Sequence, residues 1–167
     1  MAESFSLNSL DIILPKRKDN SHKGFYGRVA VIAGSKGMGG AGILASEASL
    51  FCGSGLVNLF THISNVQASL ERNPEVMAIG IESHKDISGN FDIGLIGPGF
   101  KDDDWSKEVY RYITLNYSGV LIIDAGALRL LEKKQVYDKK ELILTPHPGE
   151  AGALLNISTD EIQQNRK

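Results

Sequence analysis

A single cysteine, Cys52, is all that the 167 residues contain, which excludes a disulfide within the chain and any cysteine-rich metal site. No apolar run approaches the length needed to span a membrane, and no charged-then-apolar segment opens the chain, so the expected address is the cytoplasm. Neither sign of charge dominates. A formal net charge of -2 gives nucleic acid and anionic membranes no general attraction, and neither is expected as a partner. Internal repeats, low-complexity tracts and linkers are missing too. What remains, 42% hydrophobic and 23% charged, is ordinary for a soluble globular chain and long enough for one domain, residues 1–167, with a sizeable core. The basic cluster Lys16-Arg17-Lys18, with His22 and Lys23 behind it, reads as a solvated lead-in.

Apolar runs of strand length alternate with stretches of helical periodicity. Strands are expected at Arg28 to Ala33, Leu56 to Thr61, Met77 to Ile81, Phe91 to Ile96, Val120 to Ile123 and Leu142 to Leu144. Helices are expected at Gly42 to Cys52, around Asn65 to Leu70, at Trp105 to Leu115, at Ala127 to Leu131 and from about Gly149. This β-then-α alternation argues for an α/β domain with a mostly parallel central sheet.

Ligands of parallel sheets bind outside the carboxyl ends of the strands. Four strand ends here carry unusual chemistry. The first opens into the glycines of Gly34 to Gly42, the fourth into Gly97-Pro98-Gly99, the fifth into Asp124-Ala125-Gly126, and the last into Thr145-Pro146-His147-Pro148-Gly149-Glu150. Two prolines bias Thr145 and His147 away from the α region, Pro148 suits a first helical position, and Glu150 falls in the favourable first turn. His147 is therefore expected on a rigid elbow at the ligand edge. Each feature has a plainer reading: glycines for tight packing, His147 and Asp124 as helix caps, Glu150 as a dipole residue. Convergence of four such loops on one edge favours a site.

Gly37-Met38-Gly39-Gly40-Ala41-Gly42 fits G-x-G-x-x-G, but a Rossmann site also needs an acidic residue at the tip of the second strand. That strand ends at His62 with no Asp or Glu nearby, and no Gly-Lys-Ser/Thr follows the glycines as a P-loop requires. As a Rossmann signature the match is accidental.

From His22 onward the chain resembles the NAD(P)H-hydrate dehydratase family, a branch of the three-layer ribokinase-like fold. The resemblance is carried by HKGFYGRVAVIAGSKGMGGAG at 22–42, GSGLV at 53–57, NPEVM at 73–77, IGPGF at 96–100, LIIDAGAL at 121–128 and TPHPGE at 145–150. It implies a lyase that removes water from the hydrated nicotinamide ring of NADHX or NADPHX at the expense of ADP or ATP with Mg2+, in a homo-oligomer. It also implies site residues: Gly40 and Ala41 lining the hydrate pocket, Gly97 and Gly99 admitting the ligand, and His147 touching it. Asn73, Glu75, Asp124 and Glu150 follow as further candidates, the acids acting on water or magnesium. No metal ligand is assigned.

Relatives continue past the TPHPGE helix with more strands, a lysine-containing nucleotide segment and a late Gly-x-Gly-Asp loop that supplies the catalytic base. The sequence given ends at Lys167 in a stretch, Thr159 to Lys167, that reads as an unfinished helix, so the expectation is an amino-terminal portion with its catalytic residue unassigned and its sheet incomplete. Phe100 and Gly126 also depart from the family pattern, which often has Leu-Gly and a second acid there. Two other classes remain beside the dehydratase: a non-catalytic binding or assembly module, and a small-molecule kinase of the same superfamily. The first would leave Leu142 to Thr145 on an open sheet edge, and NPEVM and TPHPGE weigh against the second.

Overall fold

The computed structural model describes Ser6, residues 16–131 and residues 141–165. Six strands, β1 (Arg28–Ile32), β2 (Leu56–His62), β3 (Met77–Ile81), β4 (Ile93–Ile96), β5 (Val120–Ile123) and β6 (Leu142–Leu144), pair in the order β3-β2-β1-β4-β5-β6. Every pairing is parallel. Among the described residues five α-helices accompany them: α1 (Gly39–Phe51), α2 (Val66–Arg72), α3 (Asp104–Asn116), α4 (Pro148–Leu155) and α5 (Thr159–Gln164).

Side chains alternate across a strand, and both faces here are buried. Ala30 and Ile32 join Phe60, Ile96, Leu121 and Ile123 in one core, which α3 closes with Val109 and Ile113. Val31, Ala33, Val57 and Leu59 form the other, against Ile43, Ala45 and Leu50 of α1. Helices on both faces of one sheet make three layers. The apolar stripe of α3 dictates its seat, and its start is fixed by Asp103, whose Oδ1 accepts the Ser106 N–H at 2.8 Å.

Three expectations are corrected. Helix α1 begins at Gly39 rather than Gly42, because its first turn is glycine and alanine with no side-chain cap to announce it. The helix expected at Ala127 to Leu131 is a 3-10 turn, Ala125–Leu130, entered through Ala125 at φ 47°. Strand β4 starts at Ile93, since the Phe91 carbonyl is spent on the Tyr117 hydroxyl and Asp92 bonds Arg28 through both its N–H and its carboxylate. The basic lead-in is exposed as expected, and within it Arg17 donates to the Gly53 carbonyl at 3.0 Å and lies 4.4 Å over the Tyr26 ring. Of the stretch Thr159 to Lys167, α5 is helical and residues 166–167 lie outside the described residues. No helix among the described residues is long and apolar enough to cross a membrane.

Candidate functional site

In this strand order β1 and β4 are neighbours whose connections leave in opposite directions, which creates a crevice at their carboxyl ends. The loops that flank the crevice are stitched together. Gly34 N–H donates to the Pro98 carbonyl at 2.9 Å and Ser35 N–H to the Gly99 carbonyl at 3.0 Å. Below them the buried Ser35 and Ser106 hydroxyls bond at 2.8 Å, and Lys101 N–H donates to Ser35 Oγ at 3.1 Å. The Gly34 carbonyl accepts from Thr61 Oγ1 at 3.0 Å and from Asn65 Nδ2 at 2.7 Å. Asn65 also reaches the Ser35 carbonyl, so one buried amide holds the floor of the glycine loop.

Nothing in the sequence singles out Asn65. Asparagine before a helix is an ordinary sight; only its burial against Gly34, thirty-one residues earlier, reveals what it does.

The glycines divide by what surrounds them. Gly97 sits at φ 118°, and a Cβ there would collide with the Asp124 carbonyl and Ala127. Gly99, at φ 71°, would place a Cβ 2.7 Å from the Met38 carbonyl and 3.0 Å from Ala41. Both therefore admit other loops of the chain to the crevice wall. A Cβ at Gly40 would meet nothing within 4 Å; the residue faces solvent, with half-buried Ala41 beside it. Their helix, α1, has no side-chain cap and no acid in its first turn. Its leading N–H groups thus present partial positive charge to the crevice mouth. Lys36 and Lys101 add to it; Lys101 Nζ donates to the Lys36 carbonyl at 2.6 Å.

Further along the same edge, Asp124 does not use its side chain as a cap. Its Oδ1 accepts the Thr145 hydroxyl at 2.8 Å, tying the tip of β5 to that of β6. Beyond Thr145, His147 is the N-cap of α4, and its Nδ1 accepts from the N–H groups of Gly149 at 3.1 Å and Glu150 at 3.3 Å. Glu150 returns the bond, Oε2 accepting the His147 N–H at 3.0 Å. A ring nitrogen that accepts two N–H bonds carries no proton, so the imidazole proton sits on Nε2. That Nε2 lies 3.4 Å from Glu150 Oε1; the histidine side chain is 66% exposed and the glutamate 11%. Cap and candidate contact are compatible: one nitrogen caps, while the other faces Glu150 Oε1 on the exposed side of the ring.

His147 and Glu150 line a cavity of about 760 Å3 with Leu128, Arg129, Leu144 and Leu154. None of Gly40, Ala41, Gly97, Gly99 or Asp124 lines it, so this cavity is separate from the glycine loops, with the Asp124–Thr145 bond between them. Asn73 and Glu75 are not brought to either. They lie between α2 and β3, at the amino ends of the strands, where Asn73 Oδ1 accepts the Glu75 N–H at 3.0 Å. Among the described residues no group of three or more His, Cys, Asp or Glu stands placed to hold a metal ion. Mg2+ asks for less, one or two carboxylates with phosphate oxygens completing its shell. Asp124 is the tip carboxylate of that type.

Phe100 and Gly126 meet each other. Phe100 is buried with its ring edge-on to Trp105, and a Cβ on Gly126 would strike the Phe100 carbonyl.

A family model described as NAD(P)H-hydrate dehydratase matches residues 29–167. The bifunctional NAD(P)H-hydrate repair enzyme Nnr of Coxiella burnetii is 38% identical over 157 residues, covering 92% of this chain and 32% of that protein. The ADP-dependent (S)-NAD(P)H-hydrate dehydratase of Staphylococcus aureus is 36% identical, covering 97% of this chain and 61% of its own length. Among solved structures, the ADP/ATP-dependent NAD(P)H-hydrate dehydratase of Bacillus subtilis co-crystallized with ATP/Mg2+ superposes with TM-score 0.78 at 29% identity, covering 92% of this chain and 56% of that one. A ribokinase-like superfamily protein of Enterococcus faecalis gives TM-score 0.77 at 28% identity, covering 87% of this chain and 54% of that one. The chain spans about a third to three fifths of the length of these curated relatives.

Proposed function

The chain belongs to the NAD(P)H-hydrate dehydratase family, and from that premise we propose that its tip edge binds the hydrated dinucleotide in a lyase that restores NADH or NADPH from NADHX or NADPHX. ADP or ATP, with Mg2+, would supply a phosphoryl group that turns the poor hydroxide leaving group into a good one. Chemistry of that kind asks the protein mainly for positioning and charge stabilisation.

The observation that carries this reading is the glycine crevice at the β1–β4 switch point, faced by an uncapped helix with open space over Gly40. Backbone N–H groups of the first turn of α1 suit a pyrophosphate, and a glycine lets it approach them closely. Gly97 and Gly99 shape the wall. The Nε2–H of His147 is a directed donor for the ring end of the substrate, held in its tautomer by Gly149, Glu150 and the α4 backbone. Asp124, held by Thr145, is the carboxylate suited to the metal side. Asn73 and Glu75 would have to act from the opposite edge, and the geometry of the single chain gives them no such role.

The test is calorimetric titration of NADH hydrate into wild type and Gly40→Ala. Alanine has room here and is the better helix residue, so stability should rise by up to about 1 kcal/mol. Affinity should nonetheless fall roughly tenfold, the loss expected when one close polar contact is spoiled. Unchanged affinity in the stabilised variant would remove the pyrophosphate from the head of α1.

A further inference from the structure

Lys101 stands at the rim of the glycine crevice with its backbone fixed from below. The residue before it, Phe100, is buried edge-on to Trp105, and the Lys101 N–H donates at 3.1 Å to the Ser35 hydroxyl, itself bonded to buried Ser106. From that anchor the side chain crosses to the glycine loop. Its Nζ donates to the Lys36 carbonyl at 2.6 Å and lies 3.7 Å from where a Cβ on Gly37 would be, on the stretch that leads into α1. An ammonium has three N–H donors. One is spent on Lys36, and two are left. The charge is unspent as well. Three aspartates follow Lys101 directly, yet Asp102 pairs with Lys107 at 2.6 Å and Asp103 caps α3 through the Ser106 N–H. No ion pair among the described residues includes Lys101 or Lys36, both of them exposed. The rim thus carries two cations beside an acid-free helix start, with no counter-charge of its own.

We propose that Lys101 is a further binding residue of the crevice, its tethered ammonium supplying the counter-charge to the pyrophosphate of the ligand. This rests on the reading that the crevice takes a dinucleotide, and it divides the work of holding one. Backbone N–H groups at the head of α1 fix where the phosphates lie, and Lys101 answers their charge. A charge-assisted bond from an ammonium to a phosphate oxygen is about twice as strong as a neutral one. The bond to Lys36 holds the long side chain in place beforehand, so less rotamer freedom is lost when the anion arrives. A strap between the two loops would need only a neutral donor. A full charge that passes over three neighbouring carboxylates and stays unpaired points to an anion instead.

Calorimetric titration of the 167-residue chain with NADH hydrate, and separately with inorganic pyrophosphate, tests it over a series of sodium chloride concentrations. Wild type should bind both, more weakly as salt screens the rim. Lys101→Gln keeps an N–H donor for the Lys36 carbonyl but has no charge. It should melt close to wild type, bind each probe roughly tenfold more weakly and lose part of the salt dependence. Lys101→Arg should keep most of the affinity and the full salt dependence. Lys23→Gln, at an exposed lysine ahead of β1 on the opposite edge of the sheet, should change neither. A glutamine variant that binds as tightly as wild type would make Lys101 a strap and overturn the proposal. So would glutamine and arginine variants that are equally weak and melt early. Lys101-dependent binding of pyrophosphate without binding of NADH hydrate would overturn the dinucleotide reading and leave the cation site standing. A wild type that binds neither probe overturns both.

Discussion

A methyl group added at Gly97 would meet the Asp124 carbonyl and Ala127 in a backbone conformation already unsuited to side chains. Gly97→Ala should therefore cost roughly 3 kcal/mol or more, read as a lowered midpoint in urea. Gly40, in the same class of motif, should respond with the opposite sign. His147 separates along its own ring. His147→Ala removes the cap and should cost about 1 kcal/mol of stability, so a binding defect in that variant alone cannot isolate the contact. His147→Asn keeps an acceptor for the Gly149 and Glu150 N–H groups but lacks Nε2. It should melt close to wild type and bind NADH hydrate roughly tenfold more weakly. If it binds as tightly as wild type, the histidine is a cap and nothing more.

Single elements differ in how well they announce themselves. Strands β3, β5 and β6 follow the expected residues because each is a short apolar run bounded by polar or glycine residues, which sequence displays directly. The turn at Ala125–Leu130 misleads because Ala127, Leu128, Leu130 and Leu131 repeat at helical spacing, while the left-handed φ of Ala125 that sets its course leaves no mark in composition. The elbow at His147 was legible, since two prolines and a first-turn glutamate act locally. The anchoring of the glycine loop by Asn65, the order of the strands and the meeting of Phe100 with Gly126 were not, because each joins segments far apart in the chain. A pH effect belongs to this scale too. In the turn His84–Asp86 the Asp86 carboxylate accepts the N–H groups of Ser83 and Glu82, and these bonds hold it below the usual carboxylate range. Its contribution is fully present above the unfolded value of about 4 and is lost as pH falls through the folded one. Denaturation of Asp86→Asn across acid pH should show a shallower decline than wild type; parallel curves would mean that the turn is held by other bonds.

At the scale of the molecule, stability is uneven. Strands β1, β2, β4 and β5 are paired on both sides, whereas β3 and β6 end the described sheet, β6 with Ile143 half exposed, and α4 and α5 pack chiefly on each other and on the 3-10 turn. Hydrogen exchange should open residues 142–164 first and the central strands last. Uniform protection would show that the sheet and these two helices unfold as one unit. The pairing of β1 with both β2 and β4 also has a meaning in time. Val29 finds Val57 on one side, but its other neighbour, Ile93, lies 64 residues downstream. At synthesis rates of about 5–20 residues per second, the innermost strand would wait roughly 3–13 s after leaving the ribosome before its second partner follows. During that interval the most buried strand of the finished molecule is the most exposed edge of the growing one, and a chaperone would have its best hold on the nascent chain there.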